Sequence, residues 1–193
     1  MKWAVELEQF EITYHPRTTI KGQALADFIV ECTGVEELPD ENTPKDVWKL
    51  YVDGSARDNA SGAGIILVTP TGHKFHSALR FEFEATNNES EYEALLAGLR
   101  MATELKAKAI RCFSDSQLVI NQVLGDYQAR GTRMAAYLER VKTALEDFEF
   151  YYVEAIPRED NALADALARL ATSKEAEELS IVPIETLLEP SIA

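Results

Sequence analysis

Four carboxylates in this chain stand where its pattern calls for an apolar or turning residue. Asp53 closes a short hydrophobic run (Leu50, Tyr51, Val52) and is followed by Gly54 and Ser55. Asp115 lies where another apolar run, Ile110 to Ser114, gives way to a helical pattern. Glu91 is near the start of a long helical repeat, and Asp165 lies inside an Ala/Leu-rich one. In sheets with parallel strands, strand ends and helix starts converge on one rim, where ligands bind. Four acids gathered there would repel one another and shift each other's protonation unless cations neutralised them. Oxygen-only ligand sets suit Mg²⁺ or Mn²⁺. Two such ions roughly 3.5–4 Å apart can clamp the attacking and leaving oxygens of a phosphodiester. Each acid alone has an ordinary reading as well: a turn residue after a strand, or a solvated helix charge.

The elements needed to position these acids are legible around them. Trp48 to Ala56 reads as a strand, Gly62 to Val68 as a second, and Lys74 to Phe83 as a third. Thr69-Pro70-Thr71-Gly72 has the composition of a tight turn between the last two. At Thr86 the period changes. Thr86 and Glu89 have the spacing of a capping box, and Tyr92, Leu95, Leu96, Leu99 and Met101 follow at helical intervals. Ile110 to Ser114 is a strand and Ser116 to Leu124 a short helix. Met134, Tyr137, Leu138, Val141, Leu145 and Phe148 form one face of an amphipathic helix. Phe150 to Ile156 is a last strand, and Asp160 to Ala171 a final helix. The order βββ-α-β-α-α-β-α predicts an α/β domain: a five-stranded mixed sheet, antiparallel in its first three strands, with helices on both faces.

Charge bounds the partners. The 193 residues carry 19 Lys+Arg and 33 Asp+Glu, a net of −14. That excludes a basic nucleic-acid coat or an anionic-membrane binder. The acidity is concentrated outside the motif-bearing block: residues 47–172 have a net charge of −4 and the flanks −10. Four of the central acids neutralised by two divalent ions would bring that block to about zero. Residues 34–46, with Pro39, Pro44 and a run of acids, read as a linker, and residues 173–193 as an acidic, extended tail. Cys32 and Cys112 are too few and too far apart for a disulfide framework, and Cys112 reads as a small buried hydrophobe. No apolar leader or 18-residue apolar window occurs, so the chain reads as soluble, intracellular and monomeric.

Four segments occur in a specific order: Tyr51-Val52-Asp53-Gly54-Ser55, then Thr86-Asn87-Asn88-Glu89-Ser90-Glu91, then Ser114-Asp115-Ser116-Gln117, then Asn161-Ala162-Leu163-Ala164-Asp165. Together they resemble the four motifs of type 1 ribonuclease H. The resemblance implies a ribonuclease H-like fold over residues 47–172. It also implies metal-dependent endonucleolytic cutting of the RNA strand of RNA/DNA hybrids, leaving 5′-phosphate products. It places metal-ligand roles on Asp53, Glu91, Asp115 and Asp165, for two Mg²⁺ (or Mn²⁺) ions. Hybrid contacts fall to Gly54, Ser55, Thr86, Asn87, Asn88, Gln117 and Arg158. Amides suit an A-form-like minor groove, whose 2′-hydroxyls donate and accept; helix capping is the plainer role for the same residues.

The flanks extend the resemblance. Trp3 to Leu7, Tyr14 to Arg17 and Lys21 to Phe28 are similar to the segment joining polymerase to ribonuclease H in plant Ty3/Gypsy-type retrotransposon polyproteins, and Ile181 to Glu185 to the stretch that follows the domain. On that basis residues 1–33 are a connection remnant, and a reverse transcriptase polymerase domain is a partner in cis or trans. Three departures stand out. Arg158 occupies the loop where many members carry a His; Glu84 replaces an Arg two residues before Thr86; and no basic insertion separates Leu124 from Thr132. A catalytically silent nucleic-acid-binding or scaffold module of a decayed retroelement is the alternative, and a nuclease of the same fold acting on another nucleic acid is a third.

Overall fold

The long strand β1 (Val47–Arg57) is the axis of the molecule, and its alternation decides where everything else packs. The structure, a computed structural model, describes residues 44–57, 60–173 and 184–193. β1 pairs antiparallel with β2 (Ala60–Val68), and β2 with β3 (Lys74–Phe81). The turn between β2 and β3 closes as its composition predicts: the Gly72 amide donates to the Thr69 carbonyl at 2.9 Å, with Gly72 at φ +84°.

α1 (Asn87–Glu104) carries the expected capping box, in which Thr86 Oγ1 accepts from the Glu89 amide and the Glu89 carboxylate from the Thr86 amide. The chain then forms β4 (Ala109–Ser114), α2 (Gln117–Leu124), α3 (Thr132–Leu145) and β5 (Phe150–Ala155). A 3₁₀ turn (Arg158–Asn161) precedes α4 (Ala162–Thr172). β4 and β5 add in parallel beside β1.

The sheet has six strands, in the order β5-β4-β1-β2-β3-β6, and not the five the pattern predicts. β6 (Ile184–Leu187) lies in the stretch read as an extended tail and pairs in parallel with β3. Four residues are too few to show an alternation, and this strand has a neighbour on one side only. Most of the segments read as the connection remnant (1–33) and the linker (34–46) lie outside the described residues, as does Cys32.

Strand alternation sends successive side chains to opposite faces. Leu50, Val52, Ile65 and Leu67 join Tyr92, Leu95, Leu99, Tyr137 and Val141 in the main core, under α1 and α3. Tyr51, Ile66 and Val68, the intervening residues, meet Ala164 and Leu167 of α4 on the other face. Each fully buried Leu or Ile contributes about 1.5–3 kcal/mol, so α1 is anchored to the sheet by several such contacts. Cys112 is fully buried, as expected. Among the described residues no helix is long and apolar enough to cross a membrane.

Candidate active site

Register brings the first two acids together. β1 and β4 run parallel and pair up to Tyr51 opposite Phe113, so two residues further along Asp53 and Asp115 come level at the rim. Adjacent strands are about 4.8 Å apart, which sets the spacing of their side chains. Glu91 arrives from the first turns of α1, which press directly on β1. A Cβ at Gly54 would lie 2.3 Å from the Glu91 nitrogen, so only glycine permits this approach. Its amide then donates to Glu91 Oε2 at 3.0 Å.

Asp165 comes from the opposite face. α4 packs so closely on β2 that a Cβ at Gly64 would lie 2.1 Å from the Ala164 carbonyl oxygen. That contact brings the next residue, Asp165, into a cleft of about 350 Å³ shared with Asp53, Glu91 and Asp115.

Asp53, Glu91 and Asp115 each offer an oxygen within 4.8 Å of the others. Asp53 and Glu91 are only 4% and 6% exposed. Burial raises the Asp53 pKa from 3.8 to about 7, helped by the charge of Asp115 and a hydrogen bond with it. Burial likewise raises Glu91 from 4.5 to about 9, with Asp53 adding to the shift and the Gly54 amide opposing it. Among the described residues no Lys or Arg forms an ion pair with any of the three. Arg158, in the same cleft, offsets their charge only as the smallest of the influences on Asp53 and Glu91, and the donor set is hard oxygen throughout. This arrangement fits a divalent cation of the Mg²⁺ or Mn²⁺ class.

Asp165 stands outside that set of three. Arg158 Nη2 donates to its Oδ1 at 2.9 Å, and Arg169 Nη2 lies 2.8 Å from Oδ1 and 2.6 Å from Oδ2. Burial alone would raise its pKa, but the two arginines outweigh that and hold it below the usual carboxylate range.

Of the remaining candidates, five line one of two concavities and two lie outside both. Gly54, Ser55, Asn87 and Arg158 line the acidic cleft. Thr86 lines a neighbouring groove of about 800 Å³ with Arg57, Glu84, Glu89 and Arg133, and Glu84 faces the same groove. Asn88 and Gln117 are exposed in the first turns of α1 and α2 and line neither concavity.

Three contributors carried no assigned role from sequence. Asn161 is 1% exposed and its amide donates to the Val52 carbonyl at 2.9 Å and to Asp115 Oδ1 at 3.1 Å, orienting that acid. Arg169 sits four residues after Asp165 on one helix, a spacing that foretells an ion pair. Arg57 bridges the two concavities and lies beyond any motif.

Residues 51–171 match the family model described as reverse transcriptase-like. The chain belongs to that family. Its ribonuclease H-like domain is 32% identical over 123 residues to a ribonuclease HI of Halobacterium salinarum, an alignment covering 63% of this chain and 62% of that protein. The chain thus spans less than two thirds of that relative's length. The solved structure of RNase H1 from Halobacterium salinarum superposes with a TM-score of 0.58 at 31% identity, covering 65% of this chain and 96% of that one. The structure of LC11-RNase H1 in complex with an RNA/DNA hybrid gives a TM-score of 0.57 at 28% identity, covering 69% of this chain and 99% of that one. The fold is that of ribonuclease H, as the order of motifs implies.

Proposed function

We propose that this chain is a metal-dependent endonuclease that hydrolyses the RNA strand of RNA/DNA hybrids and leaves 5′-phosphate ends. The observation that carries the reading is the set of three carboxylates within 4.8 Å, two of them buried and none in a direct ion pair among the described residues. The kinship with ribonuclease HI and the hybrid bound by LC11-RNase H1 support the substrate class.

Asp53, Glu91 and Asp115 would hold the ions, with Asp165 as the fourth ligand for a pair. Divalent cations there would supply the charge that activates water near neutral pH and neutralises a leaving oxygen. Asn161 keeps Asp115 turned toward the cleft, and Gly54 lets the backbone of β1 reach Glu91. Asn87, at the cleft, with the exposed Asn88 and Gln117, would meet 2′-hydroxyls of the RNA strand. Ser55 and Arg158 line the same opening for the scissile region. Thr86, in the adjoining groove with Arg57, would meet a backbone phosphate of the DNA strand, against Glu84 in the same groove and with Arg133 already paired to Glu89.

We infer further that the chain derives from a retrotransposon polyprotein and works beside a reverse transcriptase polymerase domain. The flanking segments, from Trp3 to Phe28 and from Ile181 to Glu185, and the reverse transcriptase-like family support that origin.

Labelled hybrid, double-stranded RNA and double-stranded DNA, each with Mg²⁺, Mn²⁺ or EDTA, test the activity on a gel. Cutting of the RNA strand of the hybrid alone, only with a divalent ion, and abolished by Asp53→Asn, is expected. Full activity in EDTA, unchanged rates in Asp53→Asn, or no cutting of the hybrid under any condition would overturn the reading.

A further inference from the structure

Both oxygens of Asp165 are taken by arginines, while among the described residues Asp53, Glu91 and Asp115 form no direct ion pair and feel Arg158 only at a distance. The same cleft therefore holds three acids without a direct ion pair and one held by two arginines. We propose that Arg169 is an internal counter-ion that competes with a divalent cation for Asp165, and that loading the cation turns Arg169 and Arg158 toward the nucleic-acid backbone. This rests on the metal-centre reading above and adds a coupling between ion and substrate.

The geometry suits an exchange. The Asp165 side chain is 14% exposed, whereas those of Arg158 and Arg169 are 69% and 50% exposed. The carboxylate is held in the cleft while both guanidinium groups can reach solvent. Ion pairs with so exposed a partner are weak, so a divalent ion can displace them at small cost. Once displaced, each guanidinium presents a planar fork that matches phosphate oxygens. Arg158 and Arg169 both line the cleft, so their new partner would lie beside the ions and not on a remote surface. Linkage then requires reciprocity: a cation that frees the arginines raises affinity for the polyanion, and the polyanion raises affinity for the cation by the same factor. In a chain of net charge −14 without a basic insertion, two arginines released on demand are a large share of the positive charge at the site.

The test is a double-mutant cycle on Mn²⁺ affinity, measured by calorimetry without substrate on the full chain. Arg169→Gln should bind Mn²⁺ about two- to fivefold more tightly than the parent, the size of an exposed ion pair. In an Asp165→Asn background the same substitution should change nothing. Unchanged or weaker Mn²⁺ binding in Arg169→Gln would overturn the proposal. So would an equal gain in the Asp165→Asn background, because the arginine would then act as a distant charge and not through Asp165. Asp115→Asn separates the two readings: it should weaken Mn²⁺ binding strongly. Parent-like binding in Asp115→Asn would remove the metal centre itself, and the exchange with it.

Discussion

Glu91 and Glu93 are buried glutamates two residues apart on one helix, and they serve opposite ends. Glu93 is completely buried and fully supplied with donors: the Tyr137 hydroxyl at 2.7 Å and the Ser191 amide at 2.7 Å, both to Oε1, and the Ser191 hydroxyl to Oε2. Glu91 is nearly as buried and receives one backbone amide, with Asp53 and Asp115 as like-charged neighbours and Arg158 opposing them more weakly. Burial and residue type therefore do not distinguish a structural acid from a candidate metal ligand. The inventory of donors does, because a buried carboxylate without donors needs either a proton or a cation. The cleft stores the cost of burying like charges, and the Glu93 site is a fastening that ties α1 to α3 and to the C-terminal segment.

The fastening can be broken first, with the largest effect on stability. The C-terminal segment contributes β6, supplies both Ser191 bonds, and accepts a bond from Arg140 Nε at its Ser191 carbonyl. Deleting residues 184–193 should cost about 3–5 kcal/mol, as expected when a buried charge loses its partners. Glu93→Ala should cost a comparable amount and leave the ligand atoms of the cleft in place. Denaturant melts check both; a loss under about 1 kcal/mol in either would show that the segment is dispensable.

Reading ahead from sequence succeeded where local pattern carries the information. Asp53 and Asp115 interrupt apolar runs, and Thr86 with Glu89 announces the start of α1, so the strands, helices and cleft acids are visible without coordinates. Glu93 is invisible by the same route, because Tyr137 is 44 residues away and Ser191 is 98 away. In sequence it is simply one more acid on a helix. β6 escapes for a related reason: its pairing with β3 crosses more than a hundred residues and its four positions are half exposed. The double hold on Asp165 was half legible, since Arg169 follows at helical spacing while Arg158 arrives from a turn.

Burial, with repulsion added to it, gives the cleft a pH signature of opposite sign to an ordinary ion pair. Asp53 and Glu91 bind protons more tightly folded than unfolded, with pKa values raised to about 7 and about 9. Their contribution to stability is therefore full below about pH 4 and is lost as pH rises through those folded values. Asp165, whose pKa is lowered, contributes above its ordinary value and loses that contribution in acid. In EDTA, melting temperature should fall between pH 5 and pH 9, and Asp53→Asn should flatten that fall. A flat profile in the parent protein would mean that the acids are already compensated.

A smaller effect concerns nucleic-acid affinity. The block spanning residues 47–172 has a net charge of −4, and the flanks are more acidic still. Binding of hybrid by Asp53→Asn in Ca²⁺ should be weak, with a shallow salt slope equivalent to about two to four phosphates. A steep slope with tight binding would reveal a basic surface assembled from residues scattered in sequence, and the cleft would no longer be the main point of attachment.

The contrast between the two glutamates is tested most directly by melting at pH 8, with and without Mg²⁺, of the parent protein, Asp53→Asn and Glu93→Ala. If the cleft acids need a cation and Glu93 needs donors, Mg²⁺ raises the melting temperature of the parent and of Glu93→Ala by similar amounts. Asp53→Asn, already more stable than the parent in EDTA, should gain little. A parent protein indifferent to Mg²⁺, together with an Asp53→Asn variant less stable than the parent in EDTA, would contradict the account.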